Sequence, residues 1–130
     1  MRFLLLISIV LMMHIMPQKV IAQIVNTWRG GTPGLETNWA CSKNWSLGRI
    51  PNEFHNVIIP DVSTGSGKFP IITSGTIELN QLDIHPRATL TVQKSVRILV
   101  NVLQCHGTCV GCGRGVWIEG EELVTVKCSR

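Results

Sequence analysis

Four cysteines near the C-terminal end of the chain have a spacing that suits a metal or redox site. Cys105, Cys109 and Cys112 are followed by Cys128, and His106 lies directly after the first of them. Zinc needs four convergent donors, commonly thiolates and imidazoles, so this segment is a candidate zinc site. Two residues separate Cys109 from Cys112, which is also the spacing of a redox pair. Structural disulfides, or thiols without a role, are the alternatives.

Three tryptophans could carry a different chemistry, the binding of sugars. Trp28, Trp39 and Trp45 lie close together in a segment rich in Gly and Asn. Indole faces stack on the apolar faces of sugar rings, so all three residues are glycan-binding candidates. The alternative is that they cover the end of a β-structure, each burying on the order of 200 Å². We favour this second interpretation, because an exposed strand edge and its apolar core need a cover.

The remaining polar residues offer no catalytic set. Glycan hydrolysis requires two facing carboxylates, and most acidic residues of this chain are isolated. Glu119, Glu121 and Glu122 crowd one segment, where the ordinary interpretation is a solvated strand edge. No His has a Ser, Cys or Asp at a recognisable partner spacing. We therefore predict no catalytic residue, no cofactor and no enzyme activity.

The N-terminus is organised like a secretory signal peptide. Arg2 precedes an apolar run from Phe3 to Met13, and a small residue, Ala22, precedes Gln23. Cleavage before Gln23 is therefore predicted. The apolar run is too short for a bilayer core of about 30 Å, so we expect no membrane span after cleavage of residues 1–22. An uncleaved membrane anchor is the alternative.

Composition narrows the class of protein further. The chain has 130 residues, enough for one domain, and its 45% hydrophobic and 15% charged content excludes a disordered tail protein. The formal net charge is +4, but the basic residues are scattered singly, so no nucleic-acid partner is expected. Five cysteines in an exported chain indicate an oxidising compartment and at most two internal disulfides.

The segment after the signal peptide predicts strands. It has no long apolar pattern with a period of 3.6 residues, so helix content should be close to nil. Leu82-x-Ile84, Leu90-x-Val92 and Ile98-x-Val100 recur every eight residues, with turn-like residues between them. Short strands at fixed intervals predict a chain that turns corners and stacks on itself, with these six side chains pointing inward. A hairpin meander or a β-sandwich is the alternative.

Several short motifs, taken in order, resemble one module found in large secreted and surface proteins of Gram-negative bacteria. They are Thr27-Trp28-Arg29-Gly30-Gly31, Asn38-Trp39, Asn44-Trp45-Ser46, Pro51, Asn56-Val57-Ile58-Ile59-Pro60, Pro70-Ile71-Ile72, Leu82-x-Ile84 and Ala88-x-Leu90-x-Val92. The resemblance covers about residues 26–100. It implies the capped start of a right-handed parallel β-solenoid that serves as a non-catalytic scaffold in surface adhesion or polysaccharide contact. The segment after about Val102 matches nothing in this pattern.

These observations together predict an all-β chain with four parts. Residues 1–22 are a signal peptide, 23–55 a Trp-, Gly- and Asn-rich cap, 56–103 the strands of a short solenoid, and 104–130 a Cys-rich tail. We expect a non-enzymatic secreted or cell-surface module that contacts extracellular polysaccharide or surface proteins. One alternative is a small secreted Cys-rich metal-binding or redox protein that uses the tail. Another is a fragment of a longer protein without an independent function.

Overall fold

The computed structural model describes residues 22–111, 116–118 and 121–122, and this part of the chain is built from strands. Apart from Ala22, the predicted signal peptide lies outside it. The strands are β1 (Ile24–Thr27), β2 (His55–Ile59), β3 (Ile71–Ile72), β4 (Thr76–Ile84), β5 (Thr89–Val92), β6 (Arg97–Cys105), β7 (Thr108–Val110), β8 (Val116–Ile118) and β9 (Glu121–Glu122). A single 3₁₀ turn, Ser42–Asn44, is the one helical element of the described residues. The all-β prediction is confirmed.

The strands form two sheets, and the pairing is almost entirely parallel. One sheet has the order β1-β2-β4-β6-β8-β9 and the other the order β3-β5-β7. Only β8 and β9 pair antiparallel. From β2 to β8, consecutive strands lie in alternate sheets, because parallel neighbours need a crossover connection. A hairpin meander would pair consecutive strands antiparallel, so that alternative is wrong for β1 to β8.

The register shows how the chain returns to its own preceding strands. Ile77 lies opposite Ile98, and Gln81 lies opposite Val102, so β4 and β6 keep one constant offset along their length. In the other sheet, Ile71 of β3 lies opposite Thr91 of β5. The eight-residue spacing seen in the sequence is therefore the step from one strand to the next along the chain. It is not the step between hydrogen-bonded neighbours.

The predicted inward-pointing side chains are buried. All six have at most 5% of their surface exposed: Leu82, Ile84, Leu90, Val92, Ile98 and Val100. They share one hydrophobic core with the apolar side chains of β2 and β3 and with the tryptophans. Side chains of a strand alternate between its two faces, so each x position of the motifs faces away from this core. This part of the prediction is confirmed.

Both long strands bend where an asparagine interrupts the alternation. In β4 the buried side chains of Leu79 and Leu82 are separated by three positions, with Asn80 between them. The same step separates Val100 from Leu103 in β6. A straight strand presents every second side chain to one face. The three-residue step therefore turns each strand around a corner of the core.

Three asparagines are stacked at this corner. The Nδ2 of Asn80 donates a hydrogen bond to Oδ1 of Asn56 at 2.6 Å. The Nδ2 of Asn101 donates to Oδ1 of Asn80 at 3.2 Å. These residues come from β2, β4 and β6, which are neighbours in the same sheet. The amide stack therefore links three neighbouring strands of this sheet.

The stacked strands continue past the boundary predicted at residue 103. β6 ends at Cys105, and in β7 Cys109 lies opposite Leu90 of β5. A Cβ at Gly107 would collide with the carbonyl oxygens of His85 and Ala88, and the backbone at Gly111 has a positive φ of 82°. Glycine is needed where two backbones approach this closely. The first residues of the Cys-rich segment thus belong to the same core.

Candidate functional site at the tryptophan cluster and the adjoining groove

The three tryptophans of the predicted cap form one buried cluster. Trp28, Trp39 and Trp45 have 1%, 2% and 1% of their surface exposed. The ring centroids of Trp28 and Trp45 are 5.0 Å apart with an interplanar angle of 78°, and those of Trp39 and Trp45 are 4.7 Å apart at 77°. Both pairs have the edge-to-face geometry that aromatic rings favour. Protein atoms cover the indole faces, so none of them is open to a sugar ring.

The loop between β1 and β2 brings these residues together by folding back along the outer edge of β1. Trp28 extends β1 and donates its backbone N–H to Ile58 of β2 at 2.9 Å. On the other edge, Ser46 donates its backbone N–H to the carbonyl of Thr27, and its hydroxyl accepts from the N–H of Thr27. Asn26, fully buried, donates its amide to the carbonyl of Arg49. Residues 46–49 thereby cover part of an edge that would otherwise expose unpaired backbone groups.

Asn44 organises the same loop from inside. It is fully buried, and its Nδ2 donates to the carbonyl oxygens of Leu35 at 2.7 Å and Asn38 at 3.1 Å. Its Oδ1 accepts from the backbone N–H of Thr32 at 3.0 Å. A buried amide is stable only when its donors and acceptor are paired. Asn44-Trp45-Ser46 is formally a glycosylation sequence, and here its amide is occupied by the fold.

A second loop, residues 61–69, closes on Trp28. The indole Nε1–H of Trp28 donates to the carbonyl of Lys68 at 2.8 Å, and the Ser66 hydroxyl donates to the carbonyl of Arg29 at 2.8 Å. Gly30 lies at the contact with a φ of 63°, and a Cβ there would be 2.5 Å from the Lys68 carbonyl oxygen. Gly30, two residues after Trp28, therefore permits both the turn and the close approach of the Lys68 carbonyl.

The indole N–H groups of the cluster are not equally satisfied. Trp45 donates its Nε1–H to the carbonyl of Trp39 at 2.8 Å, and Trp28 donates to Lys68 as described. The Nε1 of Trp39 is buried and has no hydrogen-bond partner among the described residues. Buried donors are nearly always paired in folded proteins. This unpaired donor marks Trp39 as the one tryptophan of the cluster with capacity for a further contact.

A groove lies beside Trp39 on the outer side of β3. It consists of two cavities of about 340 Å³ and about 110 Å³, which share Asn38, Ile71 and Thr73 in their walls. The larger cavity is completed by Thr37 and Gln93. The smaller one is completed by Trp39, Ala40, Ile50, Ile72, Ser74 and Ile77. Sequence reasoning identified Trp39 but missed the rest of this groove, because its walls come from four separate segments of the chain.

A larger cavity, of about 390 Å³, lies at the start of β1. Ala22, Gln23, Ile24, Glu53, Phe54 and Asn80 line it. Phe54 is 67% exposed there. Cleavage at the predicted position would remove Ala22 and change the wall of this cavity. The groove beside Trp39 is built only from residues that follow the predicted cleavage position, so cleavage there would not change it.

The described titratable groups with shifted pKa values are Glu36, His55 and Asp61, which come from separate segments of the chain. Burial lowers the pKa of His55, and the nearby charge of Arg49 lowers it further. Hydrogen bonds from Ser63 hold the pKa of Asp61 below its usual value, and Arg87 contacts the same carboxylate at 2.9 Å. Within residues 22–111 and the two short strands beyond them, no three His, Cys, Asp or Glu side chains are placed to hold a metal ion.

The candidate metal ligands of the tail are only partly within the described residues. Cys105 and Cys109 are each disulfide-bonded, and His106 is exposed at the end of β6. A sulfur in a disulfide is not the thiolate that a metal requires. Cys112 and Cys128 lie outside the described residues. Cys41, which lies between Trp39 and Trp45 in the chain, is a free, buried cysteine.

The comparisons with known proteins gave no relative. No protein-family model matches the chain, and no similar protein was found among curated proteins or solved structures. In the described residues, no helix is long and apolar enough to cross a membrane.

Proposed function

We propose that this chain is a non-enzymatic structural module of a secreted or cell-surface protein, and that it forms the capped first turns of a right-handed parallel β-solenoid. In this proposal the module acts in adhesion by contact with extracellular polysaccharide. The observation that carries it is the parallel register, in which β4 and β6 pair from Thr76 opposite Arg97 to Ile84 opposite Cys105 at one constant offset. A chain that returns to itself at such intervals can be extended turn by turn.

The tryptophan cluster supports the role of a cap. It lies where β1 ends the sheet, and the loop that carries it covers part of the β1 edge. A stack of parallel strands exposes an apolar core and unpaired backbone groups at its first strand, and end caps protect both. The buried indoles, the Asn44 hydrogen bonds and the Ser46 contacts with Thr27 serve this purpose. The handedness is proposed because parallel crossovers are almost always right-handed.

Insertion of one complete turn tests the solenoid. Because Thr76 lies opposite Arg97, a second copy of residues 76–96 placed after residue 96 should add one turn without changing any existing register. We expect this variant to fold, to keep the oligomeric state of the parent in size-exclusion chromatography and to melt no lower than the parent. Two matched controls are an insertion of the same segment with its order scrambled and a half-length insertion of residues 76–86. Both controls should unfold, because they shift the core-facing positions.

The outcome that contradicts the solenoid is equally clear. If the complete-turn insertion loses its β-sheet circular dichroism as fully as the scrambled control, the strands are not interchangeable turns.

Cell fractionation of the organism that makes the protein tests the surface location separately, since recovery in the cytoplasm would contradict it.

A further inference from the structure

We propose that the groove beside Trp39 binds an uncharged, hydroxyl-rich glycan chain, and that the indole N–H of Trp39 donates a hydrogen bond to one of its oxygen atoms. The inference rests on the proposed contact with polysaccharide and specifies where that contact is made. It places the glycan at the edge of one indole and not on the faces of the three rings, which are buried.

The shape of the groove suits one sugar unit with a substituent. The larger cavity, at about 340 Å³, falls within the range of roughly 300–1,000 Å³ that is usual for small-molecule sites. The smaller cavity, about 110 Å³, adjoins it, since Asn38, Ile71 and Thr73 line both. A sugar ring in the larger space can extend one exocyclic group into the smaller space beside Trp39.

The side chains of the groove determine the chemical class of the ligand. Thr37, Thr73 and Ser74 provide hydroxyls, and Asn38 and Gln93 provide amides. Groups of both kinds donate and accept hydrogen bonds, as sugar hydroxyls do. No charged side chain lines either cavity among the described residues. An anionic polymer would need Arg or Lys to replace its hydration, so the groove favours a neutral glycan.

Some of the hydrogen-bonding groups that line the groove have no partner among the described residues. Asn38 accepts a hydrogen bond from the backbone of Ala40 with its Oδ1, and no described group pairs with its Nδ2. Ile71 is half-buried and lines both cavities. An apolar side chain surrounded by hydroxyls and amides matches a sugar ring, which has C–H groups between its hydroxyls.

The unpaired donor of Trp39 is the observation that points to a ligand. Trp39 lines the smaller cavity, only 2% of its surface is exposed, and its Nε1 has no partner among the described residues. The other two indoles of the cluster have carbonyl partners inside the protein. A buried donor without a partner destabilises the fold unless an acceptor is supplied. Nε1 is covered by neighbouring protein atoms in this structure, so an oxygen atom of a ligand in the smaller cavity would supply the acceptor once those atoms shift to admit it.

The experiment uses the mature chain and a fixed panel of probes. Hexasaccharides of β-1,4-linked glucose, xylose and mannose and of α-1,4-linked glucose are titrated by calorimetry and tryptophan fluorescence, with hexagalacturonate as the acidic counterpart. We expect at least one neutral hexasaccharide to bind with one site per chain, and hexagalacturonate not to bind. Trp39→Phe, which keeps an aromatic ring but removes the N–H, should weaken this binding at least tenfold.

Thr73→Val serves as the second variant, because Thr73 is exposed and its change does not threaten the core. It should also weaken binding, since it replaces a groove hydroxyl with a methyl group of similar size. Thr108→Val is the matched control: Thr108 is exposed on β7 of the same sheet, outside the groove. It should leave the affinity unchanged within twofold.

Three results would overturn the inference. The first is failure of the whole panel to bind; an ordered water on Nε1 of Trp39 in a high-resolution structure would then show that the donor serves a water only. The second is tighter binding of hexagalacturonate than of every neutral hexasaccharide. The third, binding that survives both Trp39→Phe and Thr73→Val, would retain the polysaccharide contact of the proposed function but move it away from this groove. The insertion experiment tests the solenoid independently of all three.

Discussion

Trp45 and Trp39 are linked in one direction: the indole N–H of Trp45 donates to the backbone carbonyl of Trp39 at 2.8 Å, and the indole N–H of Trp39 donates to no described group. The two rings meet edge to face at 4.7 Å between centroids. Within the cluster, the indole N–H groups of Trp45 and Trp28 are therefore paired with backbone carbonyls, whereas the indole N–H of Trp39 is unpaired. This asymmetry separates a purely structural tryptophan from one that has a free donor.

Phenylalanine substitutions of the three tryptophans should have unequal costs. Each removes a similar volume, but Trp45→Phe also leaves a buried carbonyl without its partner, which costs roughly 1–3 kcal/mol, and Trp28→Phe leaves a partly buried one. Trp39→Phe removes a donor that is already unpaired. We expect Trp39→Phe to be the mildest in urea unfolding. Equal destabilisation by all three would contradict the assigned hydrogen bonds.

Trp45→Ala should lower the free energy of unfolding by about 3 kcal/mol or more, because it also leaves a cavity in the core.

Alanine substitutions of Gly30 and Gly34 test the contact between Trp28 and the loop of residues 61–69, with Gly34 as the control. Both have positive φ angles, 63° and 79°, but a Cβ at Gly34 meets nothing within 4 Å. Gly34→Ala should therefore cost only the backbone strain of about 1–2 kcal/mol. Gly30→Ala adds a collision with the Lys68 carbonyl and should cost a further 1–3 kcal/mol, roughly the usual range for overpacking. Thermal unfolding of the two variants measures the difference, and equal melting temperatures would argue against this loop contact.

Charge on the two faces of β5 should have opposite consequences. Leu90 is fully buried, whereas Thr91 lies on the outer face and is half-buried. Leu90→Asp places an unpaired carboxylate in the core, where it cannot be solvated, and we expect loss of the β-sheet circular dichroism. Thr91→Asp should retain the fold. Tolerance of Leu90→Asp would show that the core is assembled differently.

His55 should make the fold less stable in mild acid. Burial lowers its pKa from the ordinary value of 6.5, so the folded state prefers the neutral imidazole and the unfolded state binds protons more readily. Stability is then complete above about pH 6.5 and is lost as the pH falls through the lowered pKa. Urea unfolding between pH 7.5 and 5 should show this loss. His55→Asn, which retains an acceptor for the Asn52 N–H, should reduce the slope.

The carboxylates act in a separate range of pH. Hydrogen bonds lower the pKa of Asp61 and of Glu36 below their ordinary values of 3.8 and 4.5. Their contribution is present above those values and is lost only as the pH falls further. A pH dependence above pH 5 that persists unchanged in His55→Asn would assign the effect to another group.

The N-terminus of the exported protein tests the predicted signal peptide. Cleavage after Ala22 leaves Gln23 as the first residue. Intact-protein mass spectrometry of the secreted material should give the mass of residues 23–130. Ala22→Asp should block processing, because a charged side chain does not fit the cleavage pocket. Retention of Met1 in exported protein would remove the argument for a cleaved signal.

The order of side chains along single strands could be predicted from the amino-acid sequence alone. The alternation in Leu82-x-Ile84, Leu90-x-Val92 and Ile98-x-Val100 is a local property of extended backbone, and it identifies the buried positions without any knowledge of the neighbours. The clustering of Trp28, Trp39 and Trp45 in the chain also suggested a common role. Their burial follows from their large apolar area, which favours removal from water wherever a core is near.

The tertiary structure decided which of these strands lie side by side. An eight-residue spacing does not state how many strands make one circuit, and the register places Leu103, not Leu90, opposite Leu82. The stack of Asn56, Asn80 and Asn101 and the groove of Thr37, Thr73 and Trp39 depend on that register. Their members are distant and unevenly spaced in the chain. Only the hydrogen bonding between parallel strands, which is insensitive to side-chain identity, brings them together.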